Sequence, residues 1–479
     1  MSESQEFAWM PAHKLRRMIA DKQVSPVEIT ELALRRIESL NPKLNAFLTT
    51  TADLALHHAT NSERAVIRGD KLGPLHGIPI SIKDLEGVSG VRQTNGCLVH
   101  RDNISESDSL AAERIKSAGA IIIGKTNTSE FGHIGTNENR LGDACRNPWD
   151  TNCTSGASSG GAAASVASGI TAIAQGSDGG GSIRIPSSFC GIYGLKPSQG
   201  RVPRRDTGLG SWHPINFSCV GPMTRDVRDA AILVGVLAGD SADAEPGTIQ
   251  AKSPNFEATL EQGVRGLRVG WSSNIGGVPV DAEVVRVAQS AAERFESLGA
   301  NVDVVDFRID DPEIVFDTFQ AMYRTRAYAL HGHLLRDNRD ELTDYFIDGM
   351  ELGKRLKARD LFNAQSRLNR YRAYISDFFA RFDLLLTPTL AIPAFPINSH
   401  PEKIGGSPVV HRLWGFTPFT YPFNMGGNPA ASVPAGFSAR GMPIGLQIVG
   451  AFGSDETVLA ASYAFEQVKP WANQHPPLI

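Results

Sequence analysis

The chain has 479 residues, 41% hydrophobic and 20% charged, with a formal net charge of −4 and a pI near 6.3. That is a globular composition, long enough to bury charged groups in its core, and with no long block of one sign it excludes nucleic acid and anionic membrane surfaces as expected partners. Apolar runs such as Ala120 to Ile123 and Leu384 to Leu386 are too short to cross a bilayer.

In chain order, residues from about Ala12 to Leu40 read as two helices. Ser25-Pro26-Val27-Glu28 starts the second: Ser25 caps, Pro26 takes the first helical position, and Glu28 completes a capping box. Ile78, Ile80 and Ile82 alternate and then meet Lys83, which predicts a strand with a lysine at its end. Asp108 to Ala118 is predicted helical and stopped by Gly119, with a buried strand over Ala120 to Ile123. Gly160 to Gly169, small and alanine-rich, predicts a close-packed helix, and Ile170 to Ala174 a strand that runs into a glycine loop. Pro222 to Leu237 and Val280 to Leu298 read as amphipathic helices, and Asn301 to Val305 as a strand. Asp240 to Gly247 reads as a surface loop. Residues 310–381 are expected to be mostly helical, a cap or insert within one domain spanning 1–479. Asp383 to Pro388, Ala430 to Pro434 and Ile444 to Val449 read as late strands. The alternation predicts an α/β sheet covered by helices on both faces.

The five cysteines, Cys97, Cys145, Cys153, Cys190 and Cys219, form no CxxC pair. An odd count argues against a closed disulfide framework, so reduced thiols in a cytoplasmic protein are expected. The opening Ser2-Glu3-Ser4-Gln5-Glu6 has neither the positive nor the apolar region of a signal peptide. The histidines, His57-His58 and His331-Gly332-His333 among them, supply no HExxH, and no spaced carboxylate set accompanies them; no metal and no cofactor are expected.

Two serine-bearing glycine loops carry the chemistry: Gly156-Ala157-Ser158-Ser159-Gly160-Gly161 and Gly179-Gly180-Gly181-Ser182-Ile183-Arg184. A serine needs a base to attack at neutral pH, and a desolvated lysine such as Lys83 can be that base. Glycines before Ser182 let backbone N–H groups converge on an oxyanion. The three segments together point to acyl transfer without histidine or metal. Gly119-Ala120-Ile121-Ile122-Ile123-Gly124-Lys125-Thr126 fits the phosphate-loop pattern letter by letter. Its context is wrong, because a helix precedes it and its centre is itself an apolar β-branched strand.

The run from Gly156 through Gly191, followed by Gly194-Leu195-Lys196-Pro197-Ser198, resembles the amidase signature family. So do Gly73-Pro74-Leu75-His76-Gly77-Ile78-Pro79-Ile80-Ser81-Ile82-Lys83-Asp84, Arg146-Asn147-Pro148-Trp149-Asp150, Gly221-Pro222-Met223-Thr224-Arg225 and Gly427-Asn428-Pro429-Ala430-Ala431-Ser432. The Lys83–Ser158 and Ser158–Ser182 spacings match the family's, and the resemblance runs from about Leu15 to Glu466. It implies a single large mixed β-sheet with helices on both faces. It also implies Lys83 as catalytic base, Ser158 as bridging serine, often with a cis peptide bond, and Ser182 as nucleophile. The N–H groups of Gly179, Gly180, Gly181 and Ser182 match the oxyanion loop, and Asp178 and Arg184 a charged pair supporting it. Two departures stand out. Ser155-Gly156-Ala157 replaces the family's usual Pro-Gly-Gly, and Gly179 stands where a branched residue is common, which makes the loop more permissive.

Phe131 to Thr136 are expected to line the acyl pocket. The aromatic cluster from Trp414 through Phe416 to Phe423, with Tyr323 and Tyr328 on the cap, is expected to form an apolar funnel; Trp212 reads as core. The expected function is hydrolysis of a small apolar aryl or alkyl amide by water, with ester or carbamate close behind, and a homodimer is the default assembly. The alternative is the glutaminase subunit of a tRNA-dependent amidotransferase. Leu413 to Phe423 lacks an acid to hold a glutamine amine, which favours a neutral ligand, while Arg324 and Arg326 leave an acidic substrate open.

Overall fold

The computed structural model describes residues 3–205, 216–308 and 310–477, so Trp212 lies outside the described residues. The Ser25 capping box is formed: Ser25 Oγ accepts from Val27 N–H at 2.9 Å and Ser25 N–H donates to Glu28 Oε2 at 2.9 Å, opening the helix Pro26–Leu44. The alternating isoleucines become strand β2 (Pro79–Lys83), buried throughout. It follows β1 (Phe47–Thr50) and precedes β3 (Ile121–Thr126). The remaining strands are β4 (Ile173–Asp178), β5 (Tyr193–Lys196), β6 (Cys219–Thr224), β7 (Arg268–Trp271), β8 (Asn301–Val304), β9 (Leu384–Pro388), the small hairpin β10 (Lys403–Ile404) and β11 (Ser407–Pro408), then β12 (Ala430–Phe437) and β13 (Pro443–Gly450).

Eleven of these strands form one mixed sheet in the order β1-β3-β2-β4-β6-β5-β12-β13-β9-β7-β8. β2 runs parallel to both β3 and β4, whereas the run from β4 through β6, β5, β12, β13 to β9 is antiparallel. Successive side chains point to opposite faces of a sheet. Accordingly Ile122 of β3 joins one apolar cluster and Ile121 and Ile123 another, while in β9 Leu384 and Leu386 face away from Leu385. Both faces are therefore covered, as the alternation of elements predicts.

Two predicted elements shift. The strand expected over Ile170 to Ala174 begins at Ile173 and continues to Asp178, because Gly169 ends the preceding helix with φ 67° and Ile170 to Ala172 complete the turn. The helix expected from Pro222 begins at Val227. Cys219–Thr224 is a strand between β4 and β5, and Asp226 caps the helix by accepting from Asp229 N–H. The phosphate-loop look-alike is indeed strand β3. Its Lys125 is fully buried and paired with Asp84 at 3.0 Å, with no freedom to meet a phosphate. Residues 310–381 hold three α-helices, Pro312–Asp337, Asp344–Arg355 and Ala358–Arg381. All five cysteines are buried and unbridged, and no described helix is long and apolar enough to cross a membrane.

Candidate active site

Parallel pairing of β2 and β4, with Ile82 opposite Gln175, brings their C-terminal ends to the same edge of the sheet. β2 delivers Lys83 there and β4 delivers Ser177 and Asp178. Gln175 fixes the register locally by accepting the Lys83 N–H at 3.0 Å. The helix Gly160–Ala167 starts at the same edge, immediately after the Ala157–Ser158 peptide, which is cis.

The Lys83 side chain is fully buried. Its Nζ donates to Ser158 Oγ at 2.7 Å, Ser177 Oγ at 3.1 Å and Ser177 O at 3.3 Å. Burial pushes the amine down to about 7, against the Asp178 and Glu86 charges, which raise it, and with help from Arg204. Desolvation wins here because it disfavours the charged form and no described carboxylate touches Nζ. Ser158 is 2% exposed and Ser182 8% exposed, so of the three it is Ser182 that most nearly reaches solvent. Ser159 N–H donates to Ser182 O at 3.1 Å, which ties the two serine loops together. The Lys83–Ser158 contact is therefore made, whereas no hydrogen bond joins the Ser158 and Ser182 hydroxyls.

The loop before Ser182 is held by a buried carboxylate. Asp178 Oδ1 and Oδ2 accept from Arg184 Nη2 at 2.9 Å and Arg184 Nε at 3.0 Å, with both side chains fully buried. Asp178 also accepts the N–H groups of Gly181 at 2.8 Å and Ile183 at 3.1 Å, and the Asn424 amide at 2.8 Å. Burial alone would raise this carboxyl; the Arg184 charge and the hydrogen bonds from Arg184 and Asn424 hold it well below the usual range. The remaining Arg184 donors go to Thr420 O, Gln447 Oε1 and Asn424 Oδ1, so every guanidinium N–H has an acceptor. Gly181 thus differs from its expected part in the oxyanion loop, because its N–H is engaged by Asp178. Among the described residues, the N–H groups of Gly179, Gly180 and Ser182 have no protein acceptor. Thr420 Oγ1 donates to Gly180 O at 2.7 Å and pins the loop from the other side.

The expected pocket residues separate into two groups. Tyr323 and Trp414 are near the serine loops. The Tyr323 hydroxyl donates to Gly132 O at 3.1 Å, and a Cβ at Gly132 would lie 3.0 Å from Ser158 Oγ. A Cβ at Gly180 would meet Phe319 at 3.0 Å and Trp414 at 3.2 Å. Phe416, Phe131 and Tyr328 are packed among other side chains, and Thr136 stays beside the Ser158 loop. Phe416 is a core residue, fully buried and packed on Phe189 and Phe395. Phe131 packs between His331 and Phe346. Tyr328 lies against Gly353 of the helix Asp344–Arg355. Thr136 is buried next to Gly135, whose carbonyl takes the Ala157 N–H.

Sequence reasoning missed Ser177, Gln175, Phe319, Thr420, Asn424 and Gln447. The one available signal was in β4, where Gln175 and Ser177 alternate as polar residues in a strand otherwise reading as buried. Among the described residues, one cluster of metal-ligand type, His13, Asp226 and Asp229, lies where the start of the helix Val227–Leu237 meets the helix Ala12–Ala20. Asp229 is already engaged there by Ala12 N–H, His13 N–H and His13 Nδ1.

A family model described as Amidase matches residues 28–459. An acylamidase of Rhodococcus erythropolis is 36% identical, the alignment covering 98% of each chain. A glutamyl-tRNA(Gln) amidotransferase subunit from Geobacter sp. strain M21 is 34% identical over 97% of this chain and 98% of its own. Among solved structures, a bacterial aryl acylamidase of the amidase signature enzymes family superposes with a TM-score of 0.91, at 34% identity and with 97% of both chains covered.

Proposed function

Because the chain belongs to the amidase family and is an amide-hydrolysing enzyme, we propose that Ser182 forms its acyl-enzyme, with Lys83 as base and Ser158 as proton relay. The observation that carries this reading is the 2.7 Å contact from a buried Lys83 Nζ to Ser158 Oγ, with the amine near neutrality at about 7. An amine close to half unprotonated at neutral pH accepts the Ser158 proton, and Ser158 in turn accepts that of Ser182. The missing link is a rotation of the Ser182 hydroxyl towards Ser158 when substrate fills the site, since such contacts tighten in the substrate complex. Ser182 Oγ adds to the amide carbonyl, and the N–H groups of Gly179, Gly180 and Ser182 receive the oxyanion. Collapse expels the amine, which takes the relayed proton. Water then attacks the ester by the same path and releases the acid.

Phe319, Tyr323 and Trp414 around the loops support an aryl or alkyl amide, in keeping with the aryl acylamidase likeness. The likeness to a glutamyl-tRNA(Gln) amidotransferase chain sustains the second reading, a glutaminase that works with partner chains. Purified chain with a neutral 4-nitroanilide separates the two. Release of nitroaniline by the chain alone supports the hydrolase; glutamine hydrolysis only with added partner chains supports the second. Full turnover by a folded Ser182→Ala variant would overturn the nucleophile assignment.

A further inference from the structure

Phe319, Tyr323 and Arg326 lie on one stripe of the helix Pro312–Asp337, at i, i+4 and i+7. The stripe runs across the serine loops. Phe319 covers Gly180, and Tyr323 bonds to Gly132 beside Ser158. Arg326 stands one turn further, about 4.5 Å along the axis. Its neighbour Arg324 faces the other way, against Gly349 of the next helix, with Nε on Gln320.

Arg326 has five donors and, among the described residues, no hydrogen-bond acceptor or ion-pair partner; its Nε is sealed from solvent without one. Within its electrostatic reach are Arg204, Glu245 and the Tyr323 hydroxyl. His133 and His331, also within reach, are held neutral by burial. Arg204 is itself only loosely held, 4.0 Å from Glu86, and lies within reach of Lys83. Arg326 therefore keeps an unpaired guanidinium one turn beyond Tyr323, with the Arg204 charge within its reach. Desolvated charges of like sign are costly unless an anion joins them, and a planar fork pairs best with a carboxylate.

We infer that the substrate is an amide carrying a carboxylate a few carbon atoms from the scissile bond, held by Arg326 with Arg204 beside it. This rests on the hydrolase reading above and names the substrate class within it. The apolar residues Phe319, Tyr323 and Trp414 then pack the segment between the reacting carbonyl and the anion.

The test compares glutaryl-4-nitroanilide with pentanoyl-4-nitroanilide, in which a methyl replaces the carboxylate. A second arm compares 4-acetamidobenzoate with 4-methylacetanilide, which puts the anion on the amine side. The unaltered chain is expected to favour the carboxylate on one arm by at least about tenfold in kcat/KM. R326Q is expected to lower kcat/KM on that arm about 30-fold more than on its neutral twin, with R326K in between because charge survives and the fork does not. Neutral anilides preferred on both arms, or equal losses for anionic and neutral substrates in R326Q, would overturn the inference. Binding to Ser182→Ala chain, measured calorimetrically, separates the two readings. If no anilide is hydrolysed yet the glutaryl compound binds more tightly than its twin and R326Q erases the difference, the anion site stands and the hydrolase reading falls. If hydrolysis proceeds without that difference, the anion site falls alone.

Discussion

A base works only in its unprotonated form, and for Lys83 that form becomes dominant above about 7. The sign follows directly. Below that value the amine is charged and kcat/KM for a neutral amide should fall about tenfold per pH unit, while above it the profile should level off. A stopped assay from pH 5 to 9 reads this, and a profile flat through pH 7 would remove Lys83 from the base role. Substitutions should rank by role. Ser182→Ala is expected to lower kcat on the order of 10⁴-fold or more, and Lys83→Ala nearly as far. Ser158→Ala should lose about 10²- to 10³-fold, because water can replace a relay hydroxyl better than it replaces a nucleophile. Single-turnover kinetics with a 4-nitroanilide would expose any inversion of that order. These three positions were legible in the sequence because each sits in a glycine-flanked motif at a fixed separation.

At the scale of the element, the loop between β4 and the helix Arg184–Cys190 depends on glycine at one position and not at another. Gly181 has φ 129°, and a Cβ there would lie 2.5 Å from Thr420 Oγ1, the group that holds Gly180 O. Gly179 lies outside that backbone region, and its Cβ would meet Ser218 at an ordinary 3.6 Å. Gly181→Ala should therefore cost about 2 kcal/mol or more of stability, and Gly179→Ala within about 0.5 kcal/mol. Urea denaturation of the two variants checks the contrast, and equal losses would mean that the loop is not fixed as described. The branched residue common in the family at the Gly179 position is accordingly compatible with the space available here. The resemblance marked Gly179 as replaceable, but the need for glycine at Gly181 was not legible beforehand, since three consecutive glycines read alike as a permissive loop. The strand limits of β4 and β6 were missed for a related reason. Their small and proline-containing stretches lack the periodicity that separates strand from helix, and only pairing with each other defines them.

Across the whole molecule, the site is assembled from both ends of the chain. Lys83 comes from the first quarter, the serines from the second, and the groups that complete Arg184 are Thr420, Asn424 and Gln447 in the last. The order of the central sheet explains this: β5 pairs with β12 and β12 with β13, so the C-terminal hairpin closes beside the serine loops. Local patterns announced most strands but not their order, because register between segments over 200 residues apart leaves no mark in either one alone. Asn424 measures how much that closure matters. Its amide donates to Asp178 O at 3.0 Å and Asp178 Oδ1 at 2.8 Å, and its carbonyl accepts from Arg184 at 2.6 Å. Asn424→Ala leaves a buried guanidinium N–H and a buried carbonyl without partners, for a loss of about 3 kcal/mol. The same change removes one of the donors that hold the Asp178 carboxylate on the Gly181 N–H, so the alignment of the oxyanion donors loosens. In consequence kcat should fall about tenfold or more while KM moves little, since alignment acts on the transition state and not on the bound ground state. Steady-state kinetics of the folded variant decide it: a rise in KM with kcat preserved would mean that the helix Tyr421–Gly426 leading into the C-terminal hairpin shapes substrate binding and leaves the chemistry to the N-terminal half.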